Sequence, residues 1–129
     1  MGIFGIGTDI VEIGRIKKAA QNRRFLEVCF TPAEIEFCEG KGAFAHRSFA
    51  GYFAAKEAVA KALGVGFRGF KPKVIEFFND DLGKPYARYS KKVKEAAKLP
   101  ENGAIKVFIS ISHEKDYAIA MAVIEIESP

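Results

Sequence analysis

Two acidic residues stand in apolar segments, where a charged side chain needs a physical reason. Asp9 belongs to the strand-like sequence GIGTDIVEI of residues 5–13, and Glu57 interrupts the apolar helical sequence FAAKEAVAKALG of residues 53–64. A carboxylate in such surroundings needs a cation, a hydrogen bond or a raised pKa. Mg²⁺ is commonly held by one or two protein carboxylates together with substrate phosphates, and Lys61 would add a positive charge for a phosphate. The two segments therefore predict one metal-assisted phosphate site.

The same residues also have structural interpretations. Asp9 lies close to the change from strand to helical periodicity, so its side chain would be well suited to cap the following helix. Glu57 and Lys61 are four residues apart and would form an ordinary ion pair on a helix surface. Phe49 and Phe53 weigh against the second interpretation, because they indicate that the Glu57 side of the helix is enclosed.

His113 and the glycines after the central helix are weaker signals. His113 follows a strand-like run and enters a turn, which suits either an exposed histidine or a donor to a ligand phosphate. Gly64 and Gly66 could offer backbone N–H groups to a phosphate, but Gly64 is equally a good helix C-cap. The segment is not a P-loop, because it lacks the GKS/T ending and follows a helix instead of preceding one.

The first helical region is strongly basic. It contains Arg15, Arg23 and Arg24, and the whole chain carries a net charge of +4 with a pI of about 9.1. Such a run is either a solvated face or a docking surface for an acidic partner. The sequence shows no RNP-like aromatic strand, helix-turn-helix pattern or zinc-knuckle spacing, so we expect no nucleic-acid partner.

The composition predicts a single domain over residues 1–129. Hydrophobic residues make up 49% of the chain, which is enough for a core. Neither a long apolar run nor the pattern of a signal peptide is visible, so we expect a cytoplasmic protein without a membrane segment. Cys29 and Cys38 lack the spacing of a zinc site and are expected to be reduced, partly buried thiols.

Periodicity and turn signals predict an α+β fold, in which helices pack against an antiparallel sheet. A capping box over residues 31–34, with proline at the first helical position, marks one helix start. The expected order is β-α-α-α-β-β-α-β-β. The ranges are a strand at 3–10, a basic helix from about 13 that includes 15–24, helices at 31 to about 40 and at 45–63, strands at 74–78 and 86–89, a helix at 90–99, a turn at 100–103 and a hairpin of strands 105–112 and 117–127.

Four segments resemble the holo-[acyl-carrier-protein] synthase family of small 4'-phosphopantetheinyl transferases. They are GIGTDIVEI near the N-terminus, FAAKEAVAKALGVG in the middle, NDDLGKPY in the first hairpin and SISHEKDYAIA near the end. They occur in the family's order at similar spacing and span nearly the whole chain. Any one of them would be a weak signal, whereas four together are specific.

The resemblance implies an activity and an assembly. The phosphopantetheine arm of coenzyme A would be transferred to a serine hydroxyl of apo-acyl carrier protein, releasing adenosine 3',5'-bisphosphate, as a step of fatty-acid biosynthesis. Mg²⁺ would be the metal, although oxygen ligands serve Mn²⁺ as well. The chain would form a homotrimer with coenzyme A bound between neighbouring subunits.

The resemblance also implies a role for particular residues. The catalytic residues would be Asp9, Glu57 and Lys61, of which Asp9 and Glu57 would bind the metal. The residues that contact coenzyme A would be Lys61, Gly64, Gly66, Lys84, Pro85 and His113. Acyl carrier proteins are acidic, so the basic region would dock one by charge, through Arg15, Arg23, Arg24 and Phe25.

Two positions depart from the family's pattern. Tyr52 stands where the family usually has an arginine, so a phosphate-binding cation is expected to be missing, with Arg47 or Arg68 as candidate replacements. Val65 stands where the loop often has threonine, so any contact there must come from the backbone. We expect both departures to affect coenzyme A affinity and not the type of reaction.

Two other functions are open at this point. A non-catalytic module that binds acidic protein or coenzyme A would need the basic region and the glycine loop, but not both carboxylates. A small nucleic-acid binder would be supported by charge alone. The joint presence of Asp9 and Glu57 favours the enzyme.

Overall fold

Five α-helices and five β-strands occur within residues 2–100 and 103–127, the part of the chain that the computed structural model describes. Short 3₁₀ turns precede the longest helix and the second strand. The elements are β1 (Gly2–Glu12), α1 (Ile13–Ala19), α2 (Arg23–Cys29), α3 (Pro32–Glu39), α4 (Ala45–Leu63), β2 (Ile75–Asn79), β3 (Pro85–Tyr89), α5 (Lys91–Ala96), β4 (Ala104–His113) and β5 (Tyr117–Glu127).

The strands form two antiparallel sheets. One has the order β1-β5-β4, and the other is the β2–β3 hairpin. In the larger sheet Asp9 of β1 is paired with Ala120 of β5, which is paired with Ile111 of β4. Antiparallel strands with helices on one face confirm the predicted α+β class.

Helix α4 lies across the inner face of the larger sheet, and two glycines allow this. A Cβ atom built on Gly5 would lie 2.0 Å from the Ala62 carbonyl oxygen, and one on Gly7 would lie 2.0 Å from the Ala58 carbonyl oxygen. Alternate residues of a strand share a face, so Asp9 continues the row of Gly5 and Gly7 toward α4. The close approach of backbone to backbone thus places the Asp9 carboxylate beside this helix.

Helix α4 is buried on nearly all sides. The predicted core positions, Ala55, Ala58, Val59, Ala62 and Leu63, are all buried. The opposite side of the helix packs against α3 and β2. Apolar residues of α4 therefore occur on nearly all of its sides. Gly64 ends the helix in the left-handed conformation, with φ of 83°, as the sequence predicted.

Three details of the predicted elements were wrong. The basic helix is not continuous: α1 ends at Ala19 and α2 begins at Arg23, because Asn22 caps a new helix by accepting a hydrogen bond from the Arg24 N–H at 2.9 Å. Strand β1 runs to Glu12, beyond the predicted end at residue 10. Asp9 therefore lies inside a strand and caps nothing, and Glu12 occupies the N-cap position of α1 without a capping hydrogen bond.

Most other boundaries agree with the prediction. The capping box of α3 is present with both of its hydrogen bonds. The predicted helix at 90–99 is shorter, at Lys91–Ala96, and residues 101 and 102 of the predicted turn lie outside the described residues. In the described part of the chain, no helix combines the length and hydropathy that crossing a membrane requires.

Candidate active site

An acidic cluster lies where β1 meets α4. Lys61 Nζ is 3.1 Å from Asp9 Oδ1 and donates a second hydrogen bond to the Thr8 carbonyl oxygen at 3.0 Å. The Asp9 side chain is only 16% exposed, whereas that of Lys61 is 55% exposed. The carboxylate is thus held in place by the strand, while the lysine reaches it from solvent.

Glu57 shares the electrostatic environment of this cluster. Burial raises the pKa of the Glu57 carboxyl, and the negative charge of Asp9 raises it further. The positive charges of Lys61 and Arg15 act in the opposite direction. The net upward shift of the pKa means that the charges of Lys61 and Arg15 do not fully offset burial and the charge of Asp9, so ionised Glu57 is under-compensated. A further cation beside the two carboxylates would therefore be favourable.

The donor set suits a metal that needs few protein ligands. Among the described residues, no group of three or more histidine, cysteine or acidic side chains could hold a metal ion. Two carboxylates fit Mg²⁺, which keeps several waters and takes its remaining ligands from substrate phosphates.

The glycine loop offers less to a phosphate than its sequence suggested. The Gly64 N–H donates to the Lys61 carbonyl oxygen at 3.0 Å, and the Gly66 N–H donates to the Ala60 carbonyl oxygen at 3.3 Å. Both amides are therefore used by the end of α4. A Cβ atom on either glycine would meet open space, so these positions leave room for a ligand beside Lys61 but do not present free donors.

A second cleft lies at the opposite edge of the larger sheet. It has a volume of about 190 Å³ and contains His113 and Pro85 together with Lys41, Ser48 and Tyr52. Burial lowers the pKa of His113, and the charge of nearby Arg47 lowers it further. Lys84 does not line this cleft; its Nζ lies 5.5 Å from the centre of the Tyr86 ring.

A single chain does not bring the Asp9 cluster and the His113 cleft together. Asp9 is on β1 and His113 is on β4, with β5 between them, and such strands are about 10 Å apart. On α4, Gly51 faces His113, and Glu57 is six residues further along, which turns its side chain about 120° away. The predicted site residues therefore fall into two groups within one chain, which we call half-sites: Asp9, Glu57, Lys61, Gly64 and Gly66 at the β1 edge, and Pro85 and His113 at the β4 edge.

The four residues predicted to dock a carrier protein differ in their availability. Arg15 and Arg24 are exposed. Arg23 lies 3.7 Å from both Glu27 and Glu39, so acidic groups of its own chain already compensate it. Phe25 is half-buried, with its ring 6.0 Å from that of Phe53. Arg15 and Arg24 are thus the more available cations.

Tyr52, in the position of the missing arginine, is a buried part of the fold. Its ring stacks on Phe37, and its hydroxyl donates a hydrogen bond to Asn79 Oδ1. Of the two candidate replacements, Arg47 is close enough to lower the pKa of His113, with its guanidinium 4.6 Å from the centre of the Phe44 ring. Arg68 is exposed in the glycine loop, at the other half-site.

Sequence reasoning missed a fully buried ion pair next to Glu57. Lys56 Nζ lies 2.7 Å from Glu34 Oε1, and neither side chain is exposed. The capping box identified Glu34 as a helix-start residue, but its ion pair with Lys56 depends on how α3 packs against α4. The only available signal was the placement of Lys56 within the apolar run of α4.

A family model described as the 4'-phosphopantetheinyl transferase superfamily matches residues 5–122. The chain is 48% identical over 124 residues to a holo-[acyl-carrier-protein] synthase of Clostridium tetani, covering 95% of this chain and 96% of that protein. It is 50% identical over 125 residues to one of Clostridium botulinum, covering 96% and 98%.

Solved structures give the same similarity. A holo-(acyl-carrier-protein) synthase of Bacillus anthracis in complex with coenzyme A (3',5'-ADP) aligns with a TM-score of 0.78 at 36% identity, covering 96% of this chain and 97% of that one. The Helicobacter pylori enzyme in complex with coenzyme A aligns with a TM-score of 0.77 at 34% identity, covering 93% and 99%.

Proposed function

The chain belongs to the 4'-phosphopantetheinyl transferase superfamily, as a member of its holo-[acyl-carrier-protein] synthase family, and we propose that Asp9, Glu57 and Lys61 form its reaction centre. The enzyme transfers the 4'-phosphopantetheine arm of coenzyme A to a serine hydroxyl of apo-acyl carrier protein. A new bond forms between the serine oxygen and phosphorus, the diphosphate P–O bond breaks, and adenosine 3',5'-bisphosphate leaves. The observation that carries the proposed site is the Lys61–Asp9 contact beside under-compensated Glu57.

Asp9 and Glu57 would hold Mg²⁺, or Mn²⁺ in its place, because both residues supply hard oxygen ligands at one edge of β1. When bound, the metal would neutralise the diphosphate and stabilise the leaving oxygen. The raised pKa of Glu57 supports this assignment, since a divalent ion would remove the repulsion between the two carboxylates.

Lys61 and Glu57 would divide the remaining work. The Lys61 ammonium is more than half exposed and would exchange part of its contact with Asp9 and Thr8 for a phosphate oxygen, adding charge to the transition state. The serine proton would pass to Glu57, directly or through one water, because this carboxylate lies in the same cluster as Asp9 and Lys61. Phosphoryl transfer needs little more from a protein than this positioning and charge.

We also propose that the site is completed between copies of the chain. The outer face of the larger sheet carries large apolar side chains that are between 46% and 70% exposed, among them Ile6, Ile10, Phe108, Ile119 and Met121. An apolar face of this kind is typical of an interface. If the β1 edge of one copy meets the β4 edge of the next, the contact is head-to-tail, and a ring forms when the rotation between copies closes. The family resemblance supplies the number three.

Mixing two variants that are each impaired at low coenzyme A concentration tests the shared site. Glu57→Gln removes one half-site and His113→Ala the other. In a ring with shared sites, subunit exchange creates some interfaces in which both halves are wild type, so the mixture should regain activity that neither variant has alone. Light scattering would show whether the assembly is a trimer. No recovery in a mixture shown by mass spectrometry to contain mixed rings would contradict the shared site.

The carrier protein is proposed to dock on the basic region through Arg15 and Arg24, with Arg23 and Phe25 at its margin. Charge complementarity to an acidic protein supports this assignment. Arg15→Glu and Arg24→Glu should raise KM for the carrier about tenfold or more, with KM for coenzyme A little changed. Equal effects on both KM values would contradict the docking role.

The proposed compartment is the cytoplasm, which suits two buried free cysteines.

The central experiment is the intact mass of an apo-acyl carrier protein after incubation with this protein, coenzyme A and Mg²⁺. We expect the mass to rise by one phosphopantetheine arm. EDTA and the Glu57→Ala variant should each abolish the gain, whereas Glu95→Gln, which changes an exposed glutamate on α5, should not. A gain that persists in EDTA would contradict the metal assignment, and one that persists in Glu57→Ala would contradict the role of Glu57.

A further inference from the structure

Gly51 is a glycine in the interior of the 19-residue helix α4. Glycine is the poorest helix former after proline, so its presence there needs a cause. The backbone is not the cause, because Gly51 is helical and is not among the residues with positive φ. The cause is space: a Cβ atom at Gly51 would lie 2.8 Å from His113 Nε2 and 3.0 Å from Ile111 Cγ2.

The imidazole of His113 therefore rests against the bare backbone of α4. His113 lies at the end of β4, and Gly51 lines the same cleft. The atom nearest to the missing Cβ is at the far end of an exposed side chain, so a methyl group at Gly51 would turn the imidazole aside without unpacking the helix. The position of this ring is thus set by the absence of a side chain on α4.

The next residue, Tyr52, holds the opposite wall of the cleft. Its hydroxyl donates to Asn79 Oδ1, and Asn79 Nδ2 donates to the Gly83 carbonyl oxygen at 2.8 Å. Asn79 ends β2, Gly83 belongs to the turn that follows, and both line the cleft together with Pro85. Burial raises the pKa of Tyr52, so its hydroxyl keeps the proton that it donates.

We propose that Gly51 and Tyr52 are positioning residues that set the two walls of the cleft, His113 on one side and the β2–β3 turn on the other, and thereby its affinity for the nucleotide half of coenzyme A. This inference rests on the proposed function. The cleft suits an anionic nucleotide, because Lys41 lines it and Arg47 lies near His113. Neither residue is assigned a contact with the reacting atoms.

Two variants separate this role from simple packing. Gly51→Ala adds the methyl group that the imidazole must avoid, and Tyr52→Phe removes only the hydroxyl that holds the turn. Each has a matched control: Gly14→Ala changes a helical glycine whose Cβ would meet nothing within 4 Å, and Tyr89→Phe removes a hydroxyl that bonds to Ile105 outside the cleft.

The first measurement is calorimetric binding of adenosine 3',5'-bisphosphate to the full chain. We expect Gly51→Ala and Tyr52→Phe each to weaken binding about tenfold, the equivalent of one hydrogen bond to a charged group, with both controls unchanged. In the transfer assay, KM for coenzyme A should rise by a similar factor, whereas kcat and KM for the carrier should stay within twofold.

The second measurement needs no ligand. The chain has two histidines, so the imidazole NMR signals of His113 should move in Gly51→Ala, while those of His46 provide an internal reference. Unchanged His113 signals, or a parallel loss of kcat and of affinity for both substrates, would overturn the positioning role. Absence of nucleotide binding by the wild-type chain would instead overturn the proposed function, and this inference with it.

Discussion

Helix α4 carries two lysine–carboxylate pairs, five residues apart, with opposite environments. Lys56 and Glu34 are 2.7 Å apart and both side chains are 0% exposed, whereas Lys61 and Asp9 are 3.1 Å apart with side chains 55% and 16% exposed. The chemical groups are the same in both pairs. The comparison shows that burial and the number of satisfied donors decide whether such a pair fixes a fold or remains available to a ligand.

In the buried pair, Lys56 uses all three of its donors and Glu34 accepts three hydrogen bonds. Lys56 Nζ also donates to the Ile75 carbonyl oxygen at 2.7 Å and to the Pro72 carbonyl oxygen at 3.3 Å. Glu34 accepts further bonds from the N–H groups of Thr31 and Phe77. Burial lowers the pKa of Lys56 and raises that of Glu34, so the mutual attraction and these bonds must offset desolvation. The pair thereby joins α3, α4 and β2.

The exposed pair is incomplete. Lys61 makes two hydrogen bonds with three donors and lies at the surface, so its ammonium can turn toward a phosphate at small cost. Asp9 stays in place because it belongs to a paired strand. One member of the pair is thus rigid and the other adjustable, which is the arrangement that binding a charged substrate requires.

The largest expected effect is on stability, at the buried pair. Lys56→Met leaves the Glu34 carboxylate buried without its cation and should lower the free energy of unfolding by about 3–5 kcal/mol. Urea unfolding followed by circular dichroism measures this loss. Lys56→Met with Glu34→Gln should recover part of it, because the remaining amide is neutral. A single variant as stable as the wild type would remove the contrast between the two pairs.

The next largest effect is on rate, at the exposed cluster. Glu57→Gln should lower kcat by about 10²–10³, since it would remove the proposed metal ligand and the proposed proton acceptor together. Its free energy of unfolding without metal should be equal to or slightly above that of the wild type, because the under-compensated charge is gone. A variant that loses rate and stability in parallel would show that Glu57 is structural, as Lys56 is.

Lys61→Met should have an intermediate effect on activity and almost none on folding. An exposed ion pair contributes about 0–1 kcal/mol to stability, so the urea midpoint should barely move. Loss of a phosphate contact should lower kcat/KM about 10–100-fold, the range for one charge-assisted hydrogen bond. The comparison would break if Lys61→Met destabilised the protein as strongly as Lys56→Met.

The smallest effect is the pH dependence contributed by Glu57. Its pKa is raised in the folded chain, so the folded state binds more protons than the unfolded state between the two pKa values. Stability without metal should therefore fall as pH rises from about 4.5 through the folded pKa, and the slope should be shallow because Glu57 is partly exposed. Urea midpoints of wild type and Glu57→Gln in EDTA should diverge over this range, and Mg²⁺ should narrow the difference.

Local signals predicted most of the helices and strands, but not the contacts that form between them. The row of Gly5, Gly7 and Asp9 and the apolar sequence of α4 identified the strand and helix that meet at the site. The break between α1 and α2 was missed, because the Asn22 cap lies within a continuous basic run. Asp9 was a reasonable helix cap until β1 proved to extend past it.

The features that sequence reasoning did not predict have a tertiary origin. The environment of Lys56 depends on Glu34, which lies 22 residues earlier and is brought close only by the packing of α3 on α4. The separation of His113 from Asp9 depends on the strand order β1-β5-β4, which periodicity does not encode. The amides of Gly64 and Gly66 were expected to face a ligand, but the end of α4 uses them.

The contact between β1 and α4 also bears on how the gene can vary. Gly5 and Gly7 have no functional group, yet a methyl group on either would collide with a backbone carbonyl oxygen at 2.0 Å, which no rotamer change relieves. Even alanine should push the strand outward and carry Asp9 away from Glu57. A saturation mutagenesis screen scored on activity should therefore find these two positions as intolerant of substitution as the reaction centre itself. Their contribution is the absence of a side chain.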